Sequence, residues 1–162
     1  MMQWAGAGGN WPREGERPDE SVACQQGQYA CGPACAQMLL ADLGISVEQQ
    51  KIAEVCSIPV WPALLARTMQ ELVVEAGYWE GGRPFIQGVS TSQMIDILCA
   101  SGSWAAVLWD SRTRLGHMVI VDGVKSQSLR IRDPWPPGTS YSMSRADFLN
   151  YWNEEAIWRR AR

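Results

Sequence analysis

The sequence predicts an α+β domain in two lobes, a helical N-terminal part followed by an antiparallel β-sheet. Three observations predict it. From Gly32 to about Leu98 the apolar residues recur three and four apart, the period of one helix face. After Gly102 the period changes to short β-branched and aromatic runs, WAAVLW, HMVIV and LRI, divided by polar or glycine-containing turns. The chain has 162 residues, one domain at ~150 residues per domain, and 46% of them are hydrophobic, enough for one core.

Residues 1–20 (MMQWAGAGGNWPREGERPDE) are rich in Gly, Pro and charge and carry neither helix nor strand period, so they read as a flexible arm ahead of a body over 21–162. The Met1-Met2 start resembles the edge of an excised segment. Trp4 and Trp11 either dock on the body or stay exposed. From Gly32, Cys35, Met38, Leu39 and Leu43 share one helix face, and Gly44 is placed to end that helix in a left-handed conformation. Ser46-Val-Glu-Gln49 has the form of a capping box opening a second helix through about Cys56. Pro62 suits the first turn of a third helix with Leu65, Met69, Leu72 and Val73 on one face, ending before Gly77. A fourth starts near Ser90–Ser92 and carries Met94, Ile95, Ile97 and Leu98.

Strands are expected at Trp104–Trp109, His117–Val121 and Leu129–Ile131. Asp133-Pro-Trp-Pro-Pro-Gly138 cannot continue a ladder, because proline supplies no N–H. Ser144-Arg-Ala-Asp147 opens another helix to about Trp152, and a last strand passes through Ala156–Trp158.

Composition excludes several classes. Fourteen Lys and Arg against 17 Asp and Glu give a net charge of −3, without the clustered basic face of a nucleic-acid binder. No stretch reaches the roughly 18 consecutive apolar residues of a membrane span. The basic and apolar regions of a secretory signal are missing too, so the chain is expected to be cytoplasmic when synthesised. Nine Trp imply a core filled by large rigid rings, some of them lining a groove. Five Cys (Cys24, Cys31, Cys35, Cys56, Cys99) cannot form a closed disulfide framework. There is one histidine, His117, so any chemistry needing an imidazole must use it.

The informative window is Gln25-Gln-Gly-Gln-Tyr-Ala-Cys31-Gly-Pro-Ala-Cys35. A cysteine at the start of a helix faces the unpaired N–H groups and positive end of the dipole, both of which favour a thiolate. Cys31 is therefore the candidate nucleophile, while Cys35, one turn further, lies on the apolar stripe and reads as a small buried hydrophobe. His117 opens a β-branched strand behind Gly116, a rigid mount for a general base. Asp133, at the end of the next strand, can come alongside it and hold the ring in one tautomer. Asp122, five residues from His117 on the same strand, points to the opposite face. Acyl transfer also needs a donor for the developing oxyanion, and Gln25, Gln26 and Gln28 all offer an amide. A zinc site from Cys24, Cys31, Cys35 and His117 lacks a second ligand pair to match Cys31-x3-Cys35, so no metal and no cofactor is expected.

Gln25-x5-Cys31-Gly-Pro-Ala-Cys, then Gly116-His117 opening a hydrophobic strand, then Asp133-Pro after the next one, resembles the papain-like cysteine peptidases over about residues 21–158. Within them it is similar to the bacteriocin-processing (double-glycine leader) peptidases and to related bacterial toxin and effector domains. The resemblance implies a papain-like two-lobe fold and a Cys31–His117–Asp133 triad, with Gln25 as the oxyanion donor. Asp rather than Asn in the third position matches the bacteriocin-processing branch. Nothing in the sequence suggests the transporter to which those peptidases are often fused. By its position two residues past Asp133, Trp135 is expected to stack over the His117–Asp133 contact and exclude water or to line the substrate groove, with a plain core role as the alternative.

The function so implied is hydrolysis of peptide bonds, with cleavage after double glycine as in the similar enzymes. Gly8-Gly9 in the arm is then a candidate self-cleavage site, and Gly81-Gly82 a second such pair. The role expected is the toxic effector domain of a bacterial competition system, acting as a monomer on a protein or peptide and restrained by a cognate immunity protein. Such a domain would be delivered into a target cell as part of a larger effector. Leader-peptide processing, deamidation or another acyl transfer, and peptide binding on an inactive scaffold are the alternatives.

Overall fold

The computed structural model describes residues 9–112 and 115–160, with only the backbone at position 115. Its strands are β1 (Glu14–Pro18), β2 (Tyr78–Gly82), β3 (Trp104–Asp110), β4 (Leu115–Lys125), β5 (Ser128–Asp133), β6 (Thr139–Ser144) and β7 (Trp152–Arg160). Its α-helices are α1 (Cys31–Ala41), α2 (Gln49–Cys56), α3 (Pro62–Leu72), α4 (Thr91–Ala100) and α5 (Arg145–Tyr151). The strands form one antiparallel sheet in the order β1-β6-β5-β4-β3-β7-β2. The result is the α+β architecture expected, with helices covering both faces of the sheet.

Strand alternation divides the core in two. Met118 and Ile120 of β4, with Ala105 and Val107 of β3, face α1, α2 and α3 and meet Cys35, Met38, Leu39, Ile52, Leu65 and Met69. Val119 and Val121, with Trp104 and Leu108, face the other way, toward Met94, Ile95 and Leu98 of α4 and Phe148 of α5. Burial on both faces is why β3 reads as an almost uninterrupted apolar run.

Local signals place most helix ends. Pro62 is in the first turn of α3, and Gly44 has φ +78°, the left-handed conformation that follows α1. Ser90 caps α4 in a complete capping box with Gln93, and the Ser144 hydroxyl accepts the Asp147 N–H at the start of α5. The box expected at Ser46–Gln49 does not form. The α2 helix begins only at Gln49 and has no side-chain cap, because Gln49 is buried and its amide is engaged elsewhere.

Three strands lie where the sequence showed none. The arm expectation fails for residues 14–18, which form β1 and pair with β6 through Glu14↔Ser142 and Arg17↔Ser140. An edge strand needs no apolar face, so EGERP, all exposed, carries no alternating signal. Residues 1–8, with Trp4 and Gly8, lie outside the described residues. In β6 (TSYSMS) serines dilute the signal, although the strand is held by a neighbour on each side. In β2 the double glycine is structural. A side chain at Gly81 would fall on the Pro62 carbonyl oxygen, so β2 approaches the start of α3 as only glycine allows.

Candidate active site

Cys31 is the first residue of α1, and that helix has neither a side-chain cap nor an acidic residue in its first turn. The free N–H groups and positive end of the dipole therefore act on Cys31 undiminished. Cys31 is 3% exposed, His117 0% and Asp133 1%, so any charge among them is held out of bulk water. Nε2 of His117 lies 2.6 Å from Oδ1 of Asp133. The same oxygen accepts the Trp135 N–H at 3.0 Å, and Oδ2 accepts the Tyr141 hydroxyl at 2.7 Å.

Burial opposes a charge on His117, but the Asp133 carboxylate, by its field and its hydrogen bond, together with Cys31, outweighs that and raises the imidazole to about 10. Burial likewise pushes the Asp133 carboxyl up. The His117 charge and hydrogen bond, with the Trp135 N–H and Tyr141 hydroxyl, hold it below its usual value. The pair is thus an imidazolium–carboxylate at neutral pH. Nδ1, the other ring nitrogen, is buried with no hydrogen-bond partner among the described residues, while Cys31 lies close enough to stabilise the ring's proton. A loose thiol–imidazole contact of this kind is common in an unliganded site. A thiol at a helix N-terminus beside a buried imidazolium can attack a carbonyl carbon and return a proton to the leaving group.

Gln25 is brought to the same end of the sheet, since its N–H donates to the Pro134 carbonyl at 2.8 Å. Its side-chain Nε2 donates to the carbonyls of Gly27 (2.7 Å) and Gln28 (3.2 Å), and its buried Oε1 has no hydrogen-bond partner among the described residues. The amide hydrogens are therefore on the loop that precedes Cys31. That loop is braced from α2. Gln49 Oε1 accepts the Gln26 N–H at 2.7 Å, and Gln49 Nε2 donates to the Cys24 carbonyl and to Gln37 Oε1, both at 3.2 Å.

Other expected residues fall into place. Cys35 is fully buried and its Sγ lies 3.4 Å from the Met118 carbonyl oxygen; burial, chiefly, lifts its thiol well above the ordinary value. Asp122 sits where the β4–β5 register shifts and binds Arg132 and Ser103, away from His117. All five cysteines are free.

Trp135 does not stack on the histidine. Its ring meets His117 edge-on, at 89° and 6.4 Å between centroids, because its backbone N–H is drawn to Asp133 and the chain turns there. The ring that stacks is Trp11, at 17° and 5.9 Å. Trp11 came from the segment expected to be a flexible arm, and its docking had no signal in local sequence. Tyr141 was missed for the same reason as β6, although its alternation with serines hints at one inward-facing side.

The Peptidase_C39 like family model matches residues 17–156. Over 156 residues the chain is 36% identical to Cysteine protease effector 1 of Escherichia coli O1:K1:H7, a match covering 95% of this chain and 30% of that protein. The chain thus spans less than a third of the length of that relative. In fold it is similar to the peptidase domain of Streptococcus ComA, a bi-functional ABC transporter involved in quorum sensing, with a TM-score of 0.66, 20% identity, and coverage of 85% of this chain and 97% of that one. It is similar also to a double glycine motif protease from an AMS/PCAT transporter, solved in complex with the leader peptide, with a TM-score of 0.64, 17% identity, and coverage of 88% and 91%.

Proposed function

The chain belongs to the Peptidase_C39 like family and is a cysteine peptidase, and we propose that it cleaves peptide bonds through Cys31, His117 and Asp133. The observation that carries this reading is the buried 2.6 Å His117–Asp133 pair beside a cysteine at an uncapped helix N-terminus. Cys31 attacks the scissile carbonyl as a thiolate, its charge balanced by the His117 imidazolium. The oxyanion is met by the Cys31 N–H and by the Gln25 amide, which leaves the Gly27 or Gln28 carbonyl to reach it. His117 then protonates the leaving amine, and water hydrolyses the thioester with the imidazole as base. Asp133 keeps the ring in the one orientation that serves both steps.

The three residues come from one chain, which supports a domain acting as a monomer on an extended protein segment. Its substrate carries a double glycine, a pair that narrow subsites accept and any side chain would block. Likeness to the E. coli effector over nearly the whole chain supports the role of toxic domain in a larger bacterial effector, delivered into a competitor and restrained by a cognate immunity protein. Among the described residues no helix is long and apolar enough to cross a membrane.

The test expresses the domain and its Cys31→Ala form in a bacterium and compares growth and new protein N-termini across the proteome. Growth arrest with new N-termini following Gly-Gly, for the intact cysteine alone, is the expected result. New N-termini without harm point to a processing peptidase. A target altered in mass but left whole points to deamidation, and identical outcomes for the two forms overturn the assignment of Cys31.

A further inference from the structure

The segment ahead of the family-matched stretch 17–156 runs past the proposed triad, and Trp11 within it packs on His117. Asn10 N–H donates to Oδ2 of the buried Asp110 at 3.4 Å, and Arg13 Nη2 donates to the Gly9 carbonyl at 2.6 Å. The Arg13 guanidinium lies over the rings of Trp11 (5.5 Å) and Tyr141 (5.1 Å). A side chain at Gly9 would overlap the Trp11 ring, so the backbone there closes on the indole as only glycine allows. Between these contacts Trp11, 3% exposed, presents its face to His117 and its Nε1 to the Tyr141 hydroxyl at 2.9 Å.

The direction of that last bond matters. An indole N–H can only donate, so the Tyr141 oxygen must accept from it. The Tyr141 hydrogen is thereby committed to the 2.7 Å bond to Asp133 Oδ2. Trp11, Tyr141, Asp133 and His117 form a closed circuit, in which the indole touches the imidazole directly by stacking and indirectly through two hydrogen-bonded side chains. We propose that Trp11 is a positioning residue for the His117–Asp133 pair, its ring shielding the imidazole from water and its N–H, through Tyr141, fixing the carboxylate that orients it. This rests on the triad reading above and adds to it a part lying outside the family-matched residues.

The experiment exploits the single histidine, whose imidazole resonances titrate alone in an NMR spectrum. The groups acting on that ring are Asp133 from β5 and Cys31 from α1; Tyr141 from β6 and Cys35 in α1 interact with Asp133, Arg13 lies over the Trp11 and Tyr141 rings, and Asp110 at the end of β3 accepts the Asn10 N–H. In Trp11→Ala water reaches the pair and screens the attraction that outweighs burial, so the midpoint falls from about 10 toward 6.5. Trp11→Phe keeps a ring over the imidazole and restores most of that shift. Having lost the N–H, it loses about tenfold in kcat at unchanged KM.

Tyr141→Phe breaks the same circuit, so the double variant Trp11→Phe/Tyr141→Phe loses no more than Tyr141→Phe alone. A folded Trp11→Ala protein that keeps the wild-type midpoint overturns the proposal. So do multiplying losses in the Phe cycle, or wild-type kcat in Trp11→Phe, and the cycle decides if the Ala variant does not fold. The titration needs no turnover, so it reports on Trp11 even if Cys31→Ala shows the peptidase reading to be wrong.

Discussion

Asp133 reaches His117 on a diagonal across two neighbouring strands. The last paired residues of β4 and β5 are Ile120 and Arg132, and Asp133 stands one step beyond, on the face that Val119 and His117 share. Tyr141 pairs with Ile131 and so stands on a further diagonal from Asp133, on the same face. Diagonal neighbours are separated by roughly 7–8 Å, a gap that side chains of this length close tip to tip. Pro134 then takes β5 out of the ladder, leaving the carboxylate at the end of the sheet where Cys31 enters.

Asp133→Asn keeps the shape and removes the charge that holds the imidazolium. The His117 midpoint is expected to drop from about 10 toward its ordinary 6.5. The protonated ring exists below its midpoint, so the alkaline limb of the rate profile moves to lower pH by the same amount, and kcat falls about a hundredfold or more. NMR titration and pH–rate profiles check the two halves independently. An unmoved midpoint would sink the assignment of Asp133.

Stability should respond to pH through the same pair. His117 binds its proton more tightly folded than unfolded, so its contribution is complete below about 6.5 and is lost as pH rises to about 10. Asp133, held below its usual 3.8, contributes above that value and loses its contribution as pH falls beneath it. Urea midpoints measured from about pH 6 to about pH 10 should therefore decline in the wild type. The decline should flatten in His117→Gln.

Gln25→Ala removes the side-chain amide proposed to meet the oxyanion. Loss of one such donor costs about a hundredfold in kcat with little change in KM. Steady-state kinetics on a cleavable peptide makes the measurement. If Tm falls while kcat holds, the amide serves only to tie the Gly27 and Gln28 carbonyls.

Gln49→Leu strips the brace from the loop before Cys31. The Gln26 N–H and Cys24 carbonyl lose a partner, and because both belong to exposed residues that water can reach the cost is about 0.5–1.5 kcal/mol. Denaturant unfolding should show this loss. Activity should fall as well, because the same loop carries Gln25 and leads into Cys31. Full activity at reduced stability would confine Gln49 to a structural role.

Much of this was legible in sequence wherever a local rule governs. Pro62 and Gly44 mark helix ends by backbone chemistry alone, and Ser90 lies where the fourth helix is expected to start. Cys31 before Gly-Pro-Ala and His117 after Gly116 declare themselves by residue type and position. Gln49 misled because its amide, which would fit a capping box, is used across 23 residues on Gln26. β1 was invisible because an exposed edge strand of charged residues pairs through its backbone and leaves no apolar period.

The sequence by itself determined the α+β layout, the central strands, and the residues able to supply a thiol, an imidazole and a carboxylate, since each depends on composition and periodicity over short spans. Only the tertiary structure decided that Trp11 rather than Trp135 stacks on His117, that Tyr141 bonds Asp133 and the Trp11 indole, and that the Gln25 amide is held on the Gly27 and Gln28 carbonyls. These are contacts between residues up to 130 positions apart. Their partners are chosen by strand order and register, and no short-range pattern records those.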